Sequence, residues 1–184
     1  YTVTVTDDND CTSIQTVRVN AFGCTVTATN TIAQISCFGE CDGQTGVLFG
    51  NGSGPYSLQW SNGSNSSNIS GLCEGIYSVT VTDSDGCTNQ SYSQINEPAL
   101  LEVDLVSALN IGCFGGNTGS IEVQAIGGKT PYNYSWSTGS TQSSIDQLAI
   151  GTYSVTIIDG GGCSATRIFD ISQAPLLELS LDAT

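Results

Sequence analysis

Residues 153–157 read Tyr-Ser-Val-Thr-Ile, and residues 77–81, 76 positions earlier, read Tyr-Ser-Val-Thr-Val. Apolar and polar side chains alternate in both stretches, which is typical of a β-strand with one face turned to a core. Shortly after residues 153–157 comes Asp159-Gly160-Gly161-Gly162-Cys163, a segment typical of a hairpin that leads into a returning strand. The two stretches therefore predict β-structure, and their spacing predicts a repeat.

The offset of 76 residues holds along the whole chain and makes it a tandem array. It superimposes Cys37-Phe38-Gly39 on Cys113-Phe114-Gly115, Pro55-Tyr56 on Pro131-Tyr132, and Trp60-Ser61 on Trp136-Ser137. We predict complete repeats at residues 23–98 and 99–175, the C-terminal part of a preceding repeat at 1–22, and the first strand of a following repeat at 176–184. The chain is then expected to be a window from a longer protein, in which repeats supply reach, stiffness or multivalent display.

Each repeat contains short alternating runs separated by Gly, Ser, Asn and Pro turns, without a stretch of helical period. About seven short strands in a module of this size predict an antiparallel β-sandwich similar to immunoglobulin and fibronectin type III domains. The predicted fold class is therefore all-β, with tandem sandwiches. Tyr132, Tyr134 and Trp136 share one face of an extended segment, so we expect Trp136 and its counterpart Trp60 in the core. The alternative is that these indoles form an exposed platform for sugar rings.

The charge balance excludes two classes of partner. The formal net charge is −14, from 17 acidic residues against only Arg18, Lys129 and Arg167. Nucleic acids and anionic membranes are bound through clusters of Lys and Arg, so neither is expected to bind this chain. No run of about 20 apolar residues occurs, so we expect no membrane insertion.

The residue types also argue against catalysis. The chain has no histidine, which removes Ser/His and Cys/His nucleophiles and mixed Cys/His zinc sites, and no carboxylate pair recurs in both repeats at a position expected in a cleft. We predict that the chain is not an enzyme and has no cofactor. A calcium site is the alternative for Asp7-Asp8-Asn9-Asp10 and Asp83-Ser84-Asp85-Gly86. The third copy keeps only Asp159 of these carboxylates, so a turn-forming role is favoured.

The eight cysteines indicate an oxidising, extracellular setting. They occur in small modules without a C-x-x-C pair, as in disulfide-stabilised secreted domains. Cys41 and Cys73 occur only in the first complete repeat, where the second has Asn117 and Ala149. Because both are missing together from the sister copy, we expect Cys41 to pair with Cys73.

The repeated cysteines leave two pairings open, of which pairing within each repeat is the favoured one. Pairing within each repeat, Cys37 with Cys87 and Cys113 with Cys163, would let each module fold alone, and closing a loop of ~50 residues stabilises by roughly 4 kcal/mol in the chain-entropy model. In an immunoglobulin strand order, however, the loop with Cys113 and the hairpin with Cys163 lie at opposite ends, whereas bridged Cα atoms lie within ~7 Å. The alternative is therefore a bond between repeats, Cys37 with Cys163. Cys11 is the counterpart of Cys87, so its partner lies outside the chain or is Cys24.

The combined pattern resembles the SprB repeat of bacterial gliding-motility adhesins. Both copies carry it, and in the second its landmarks are Cys113-Phe114-Gly115-Gly116, Gly127-Gly128, Pro131-Tyr132-x-Tyr134-x-Trp136-Ser137-x-Gly139, Leu148-x-x-Gly151-x-Tyr153-x-Val155-Thr156 and Asp159-x-x-Gly162-Cys163. The resemblance implies a very large surface protein of Bacteroidota-type bacteria, exported by the type IX route and displayed as a filament. Such adhesins attach to a substratum and are moved along the cell surface.

The expected function is that of a non-catalytic repeat region of a secreted, cell-surface adhesin. The repeats would form an extended, disulfide-stabilised stalk or filament for attachment, including attachment during gliding. The expected partners are neighbouring repeats of the same chain and an extracellular surface or polysaccharide. One alternative is a carbohydrate-binding module of a secreted multidomain hydrolase, which would expose its aromatic residues. Another is lateral stacking into the shaft of a polymer through unpaired edge strands.

Overall fold

Every regular element in the described part of the chain is a β-strand. The computed structural model describes residues 2–6, 12–16 and 23–179. The prediction of an all-β fold is confirmed. The strands are β1 (Thr2–Thr6), β2 (Thr12–Thr16), β3 (Thr27–Ala33), β4 (Gly43–Gly50), β5 (Ser57–Trp60), β6 (Asn68–Leu72), β7 (Gly75–Thr82), β8 (Thr88–Ile95), β9 (Glu102–Leu109), β10 (Gly119–Ile126), β11 (Asn133–Trp136), β12 (Ser144–Leu148), β13 (Gly151–Ile158) and β14 (Ser164–Ile171).

The second repeat forms two three-stranded antiparallel sheets. Their strand orders are β12-β10-β9 and β11-β13-β14. If β9 to β14 are lettered A, B, C, E, F and G, the sheets are ABE and CFG, which is the arrangement of an immunoglobulin-like sandwich. The predicted sandwich class is therefore confirmed.

The first repeat has the same strand order, with sheets β3-β4-β6 and β5-β7-β8. The register is repeated as well: Trp60 on β5 pairs with Val79 on β7, and Trp136 on β11 pairs with Val155 on β13. Each repeat has six strands where about seven were predicted. The turns at residues 61–67 and 137–143, which follow the two tryptophans, contain no strand.

The register also fixes which loops share an end of the second repeat. Ile111, just before Cys113, forms a parallel bridge with Gln173, just after β14. β13 and β14 are paired along their whole length, so the hairpin at residues 159–163 lies at the opposite end of these strands. The seven steps from the first to the last residue of β13, at a rise of roughly 3.3 Å each, separate the two ends by about 23 Å.

Both tryptophans lie in the core, as predicted. Trp60 is 1% exposed and Trp136 is 3% exposed. Each indole N–H donates to a backbone carbonyl six residues further on, Trp60 to Ser66 at 2.7 Å and Trp136 to Gln142 at 2.8 Å. Burial thus leaves neither indole nitrogen unsatisfied. The buried residues around Trp136 are Leu101, Val103, Ile111, Ile121, Val123, Ile145, Leu148, Val155, Ile157, Phe169 and Ile171.

A tyrosine at the start of each F-type strand closes the corner that precedes it. The Tyr77 hydroxyl donates to Cys73 O at 3.2 Å, and the Tyr153 hydroxyl donates to Ala149 O at 3.1 Å. A tyrosine that bonds back to the backbone a few residues upstream of strand F is a hallmark of immunoglobulin-like sandwiches. The two copies therefore share a specific corner as well as a strand order.

The chain divides by contacts into two compact units. Unit one comprises residues 1–31, 47–67 and 78–92, and unit two comprises residues 32–46, 68–77 and 93–184. Unit two contains the whole second repeat together with three stretches of the first. The repeat boundaries at residues 23, 98 and 175 stay a prediction, because the 76-residue period and the division by contacts measure different things.

The partial repeats at the two ends are described only in part. β1 and β2 pair in antiparallel orientation, with Thr2 opposite Thr16. Residues 7–11, which include Asp7 to Asp10 and Cys11, lie outside the described residues. Residues 176–179, predicted to start a strand, are irregular, and residues 180–184 lie outside the described residues.

Candidate functional site at a repeat junction

The hairpin between β13 and β14 is organised by one buried carboxylate. Asp159 is 4% exposed. Its Oδ1 accepts hydrogen bonds from the backbone N–H groups of Gly161 and Cys163, each at 2.8 Å, and its Oδ2 accepts one from Lys129 N at 2.8 Å. The carboxylate thus holds the hairpin that carries Cys163 against the turn that carries Lys129.

The same bonds keep Asp159 ionised. Burial by itself would raise the pKa of this carboxyl group. The backbone N–H groups of Lys129, Cys163 and Gly161 and the positive charge of Lys129 outweigh burial, so the pKa of Asp159 lies below its ordinary value. The charge-assisted bonds are therefore in place at neutral pH.

Asp83 has the equivalent role in unit one. Its Oδ1 accepts from Asp85 N at 3.0 Å and Cys87 N at 2.9 Å, and its Oδ2 accepts from Ser53 N at 3.1 Å. These contacts are those of the turn-forming role that the sequence favoured. Within residues 2–6, 12–16 and 23–179, no three Cys, Asp or Glu side chains are grouped so as to hold a metal ion. The calcium alternative at Asp7 to Asp10 lies outside the described residues.

A disulfide joins the two repeats within unit two. Cys37, in the loop after β3, is bonded to Cys163, in the β13–β14 hairpin, across 126 positions of sequence with their Cα atoms 5.6 Å apart. The bond makes the loop of one repeat and the hairpin of the next a single covalent structure.

The predicted pairing within repeats is wrong in both copies. Cys37 is not bonded to Cys87, nor Cys113 to Cys163. The physical reason is the strand order: the loop that carries Cys113 and the hairpin that carries Cys163 lie about 23 Å apart along β13, far beyond the ~7 Å that a disulfide spans. The bond between repeats, the alternative considered from sequence, is the one that forms.

Three further contacts complete this junction. The Lys129 ammonium donates a hydrogen bond to Ile35 O at 2.6 Å. A Cβ at Gly161 would lie 2.7 Å from Ser36 O, so the loop approaches the hairpin as closely as only glycine permits. Ser36 N in turn donates to Asp42 Oδ1 at 2.9 Å. The side chain and backbone N–H of Ser36 lower the pKa of Asp42.

The remaining disulfides lie within the first repeat. Cys41 is bonded to Cys73, which is the pairing that the sequence predicted. Cys24 is bonded to Cys87, with Cα atoms 5.4 Å apart, so the conceivable Cys11–Cys24 bond is excluded. Cys113 is exposed and carries a free thiol in the described part of the chain.

The buried indoles remove the platform that sugar binding would require. An aromatic pair of an exposed Phe49 and a half-buried Tyr56 does occur in unit one, but its rings meet edge to face, with centroids 5.2 Å apart and planes at 60°. Its counterparts in the second repeat are Ala125 and Tyr132, so the pair is not a repeated feature.

Two residues at the hairpin ends of the repeats were missed in the sequence. Lys129 was counted only for its charge, although it stands where the first repeat has Ser53, and this difference was a signal. Cys24 was noted as lacking a repeated counterpart, but its partner became clear only from the end of the sandwich at which it lies. Both residues belong to the hairpin end of a repeat.

Comparison with known proteins supports the identification of the repeat. Residues 106–141 match the family model described as the SprB repeat, so the resemblance drawn from sequence is confirmed. This stretch runs from β9 to the turn after Trp136. No curated protein matches the chain. The described residues contain no helix long and apolar enough to cross a bilayer.

Several solved structures are similar to this chain at low sequence identity. Three N-terminal domains of the outer capsid protein Hoc of bacteriophage RB49 are similar with a TM-score of 0.52 and 17% identity, over 81% of this chain and 59% of that one. The amphioxus IgVJ-C2 molecule gives a TM-score of 0.36 and 17% identity, over 79% and 96% of the two chains. A structure that describes the basis of Dscam isoform specificity gives a TM-score of 0.35 and 13% identity, over 90% of this chain and 52% of that one. The chain thus spans between half and three-fifths of the Hoc and Dscam chains.

Proposed function

We propose that this chain is a non-catalytic region of an extracellular array in which neighbouring immunoglobulin-like repeats are joined covalently, forming the stalk of a cell-surface adhesin. The observation that carries the proposal is the Cys37–Cys163 bond, which ties the loop of one repeat to the hairpin of the next. A covalent joint transmits tension without depending on non-covalent contacts between two modules. A stalk that holds a cell to a surface needs that property.

The surface chemistry is consistent with a stalk outside the cell. Three disulfides within the described residues suit an oxidising compartment. A net charge of −14 and only three basic residues keep such an array hydrated and repel neighbouring arrays of the same kind. The SprB match over residues 106–141 supports a repeat region of the cell-surface adhesin type.

Attachment during gliding and export by the type IX route are the finer parts of the proposal and rest on the family resemblance. Adhesion itself would involve an extracellular surface or polysaccharide. The task of the repeats described here is to hold the adhesive surface away from the cell.

The location is tested by labelling intact cells of the source organism with antibodies raised against this chain. We expect labelling without permeabilisation, and labelling that appears only after lysis would overturn the proposal. The role in attachment is tested by deleting the repeats from the parent protein. We expect fewer cells to resist a defined shear flow, whereas unchanged retention of a correctly exported deletion protein would contradict a stalk function.

A further inference from the structure

The hairpin cysteine occupies the same place in both repeats but has a different partner in each. Cys163 is bonded to Cys37 of the preceding repeat. Its counterpart Cys87 is bonded to Cys24 of its own repeat. The two repeats share strand order and register, but the residues around the hairpin differ between them in ways that account for the different partners.

The first such residue follows directly from the repeat alignment. The position of Cys24 is Leu100 in the second repeat. Leu100 lines a shallow groove in unit two with Cys37, Phe38 and Cys163. In unit one, Cys24 lines the corresponding groove with Gly52 and Cys87. One repeat therefore has a sulfur of its own beside the hairpin, and the other has the apolar side chain of Leu100 in the groove that the neighbouring loop also lines.

Two further positions act in the same direction. Lys129, whose ammonium group donates to Ile35 O, is Ser53 in the first repeat. Gly161, which has no room for a side chain against Ser36 O, is Asp85 in the first repeat. Ser53 Oγ donates to the Asp85 carboxylate, so these two side chains bond to one another. The first repeat thus lacks the ammonium clamp and presents a carboxylate where a docking loop would bring a carbonyl oxygen.

We propose that the residue at the position of Cys24 and Leu100 decides whether the hairpin cysteine of a repeat is bonded to its own repeat or to the preceding one. The residues at 53/129 and 85/161 reinforce the choice. A repeat with Leu, Lys and Gly at these positions accepts the Cys-Phe-Gly loop of its neighbour, and a repeat with Cys, Ser and Asp is closed to it. The proposal rests on the proposed function, because it specifies which joints of the array are covalent.

The same rule identifies a partner for the free thiol of Cys113. Cys113-Phe114-Gly115 is the counterpart of the Cys37-Phe38-Gly39 loop that is docked in the junction. Cys113 and Phe114 are exposed. By the rule, this loop docks onto a further copy of the repeat, provided that the copy carries Leu, Lys and Gly at the three positions.

The rule is tested by transferring the three first-repeat residues to the second repeat, as Leu100→Cys, Lys129→Ser and Gly161→Asp. The thiolate of the introduced cysteine can attack Cys163 Sγ, forming a new disulfide while Cys37 leaves as the thiolate and takes up a proton. No net oxidant is required. After equilibration in a glutathione buffer, free thiols are alkylated and the disulfide-linked peptides are quantified by mass spectrometry.

We expect the new bond to exceed Cys37–Cys163 at least tenfold and Cys37 to be alkylated. Persistence of Cys37–Cys163 in nine-tenths of the molecules would overturn the rule. The control carries Leu100→Ser with the native Lys129 and Gly161, and it should keep Cys163 bonded to Cys37. A wild-type map without Cys37–Cys163 would instead contradict the proposed function, so the two failures are distinguishable.

A reciprocal variant keeps the test valid if the first one does not fold. Cys24→Leu, Ser53→Lys and Asp85→Gly should open the first repeat, so that Cys87 of one molecule pairs with Cys113 of another. We expect disulfide-linked oligomers that contain this peptide pair and disappear when Cys113→Ser is added. A variant that stays monomeric with an alkylated Cys87 would overturn the rule.

Discussion

At the scale of single residues, the hairpin carboxylates determine local structure. Asp159 accepts three backbone hydrogen bonds and so positions Cys163 for a bond to the neighbouring repeat. Its counterpart Asp83 makes the same three kinds of bond. The sequence indicated the turn from Asp-Gly composition, but not that the carboxylate reaches the turn 30 residues earlier, because that contact depends on the pairing of strands.

Replacing Asp159 by Asn should destabilise the protein at neutral pH by about 1–3 kcal/mol, because buried N–H donors lose their charged acceptor. The pKa of Asp159 is lowered in the folded state, so its contribution is present above the unfolded pKa of about 3.9 and is lost as the pH falls through the folded value. The difference from wild type should therefore shrink below about pH 4. Urea unfolding at several pH values measures it, with the exposed Asp146→Asn as control. A difference that does not change with pH would contradict the assigned role.

The Trp136 side chain provides a test of the core. Trp136→Ala should cost about 3–5 kcal/mol, because it removes a buried ring and leaves a cavity. Ile168→Ala, at a side chain that is 64% exposed, should change the free energy of unfolding by less than about 0.5 kcal/mol. Urea unfolding compares the two variants. Equal effects would mean that Trp136 is not a core residue.

At the scale of elements, the strands and turns could be predicted from the sequence, whereas the disulfide partners of the repeated cysteines could not. The alternation in residues 153–157 and the phase of Trp136 determine strand and face locally, so β13 and β11 were recognised. Which loops lie at the same end of the sandwich depends on the order of strands in the sheets, and no local sequence pattern indicates that order. For that reason the sequence left the choice between Cys37–Cys87 and Cys37–Cys163 open and favoured the wrong one. Cys41–Cys73 was found because both residues are missing from the sister repeat.

A buried polar pair in the first repeat shows how the two copies differ inside a shared element. Thr45 on β4 and Ser93 on β8 are buried and their hydroxyls lie 2.6 Å apart, where the second repeat has Ile121 and Phe169. Thr45→Val alone should destabilise by about 1–3 kcal/mol, since it removes one partner of a buried bond. Adding Ser93→Ala should recover most of that loss, because both polar groups are then gone. A double-mutant cycle measured by urea unfolding checks this. Strictly additive losses would contradict a direct bond between the two hydroxyls.

At the scale of the whole molecule, the Cys37–Cys163 disulfide makes the array covalently continuous across a repeat junction. The repeat period and the SprB resemblance could be recognised from the sequence, because both depend on residue identity alone. The junction depends on Lys129, Gly161 and Leu100. The role of these residues could not be recognised from the sequence, because it consists of their positions relative to the loop of the neighbouring repeat. In a stalk of this kind, the residues enclosed by a disulfide cannot be extended by force, so the maximum length falls as the enclosed segments become longer.

Single-molecule pulling on the two ends of the chain should reveal the enclosed segment. In the wild type the Cys37–Cys163 bond shields 126 residues from extension, whereas in Cys37→Ser the longest remaining loop, Cys24–Cys87, shields 63. At roughly 3.5 Å per extended residue, the variant should stretch about 220 Å further before the backbone is taut. Cys113→Ser should leave the wild-type length unchanged. Equal lengths for wild type and Cys37→Ser would argue against a tension-bearing joint.

The most direct test of the central claim is a disulfide map of the native parent protein, made by non-reducing proteolysis and mass spectrometry after free thiols are alkylated. We expect a linked peptide pair that contains Cys37 and Cys163, a second pair that contains Cys24 and Cys87, and none that joins Cys37 to Cys87. Linked peptides for Cys37–Cys87 and Cys113–Cys163 would instead mean that each repeat is closed on itself, and they would contradict the covalent joint between repeats.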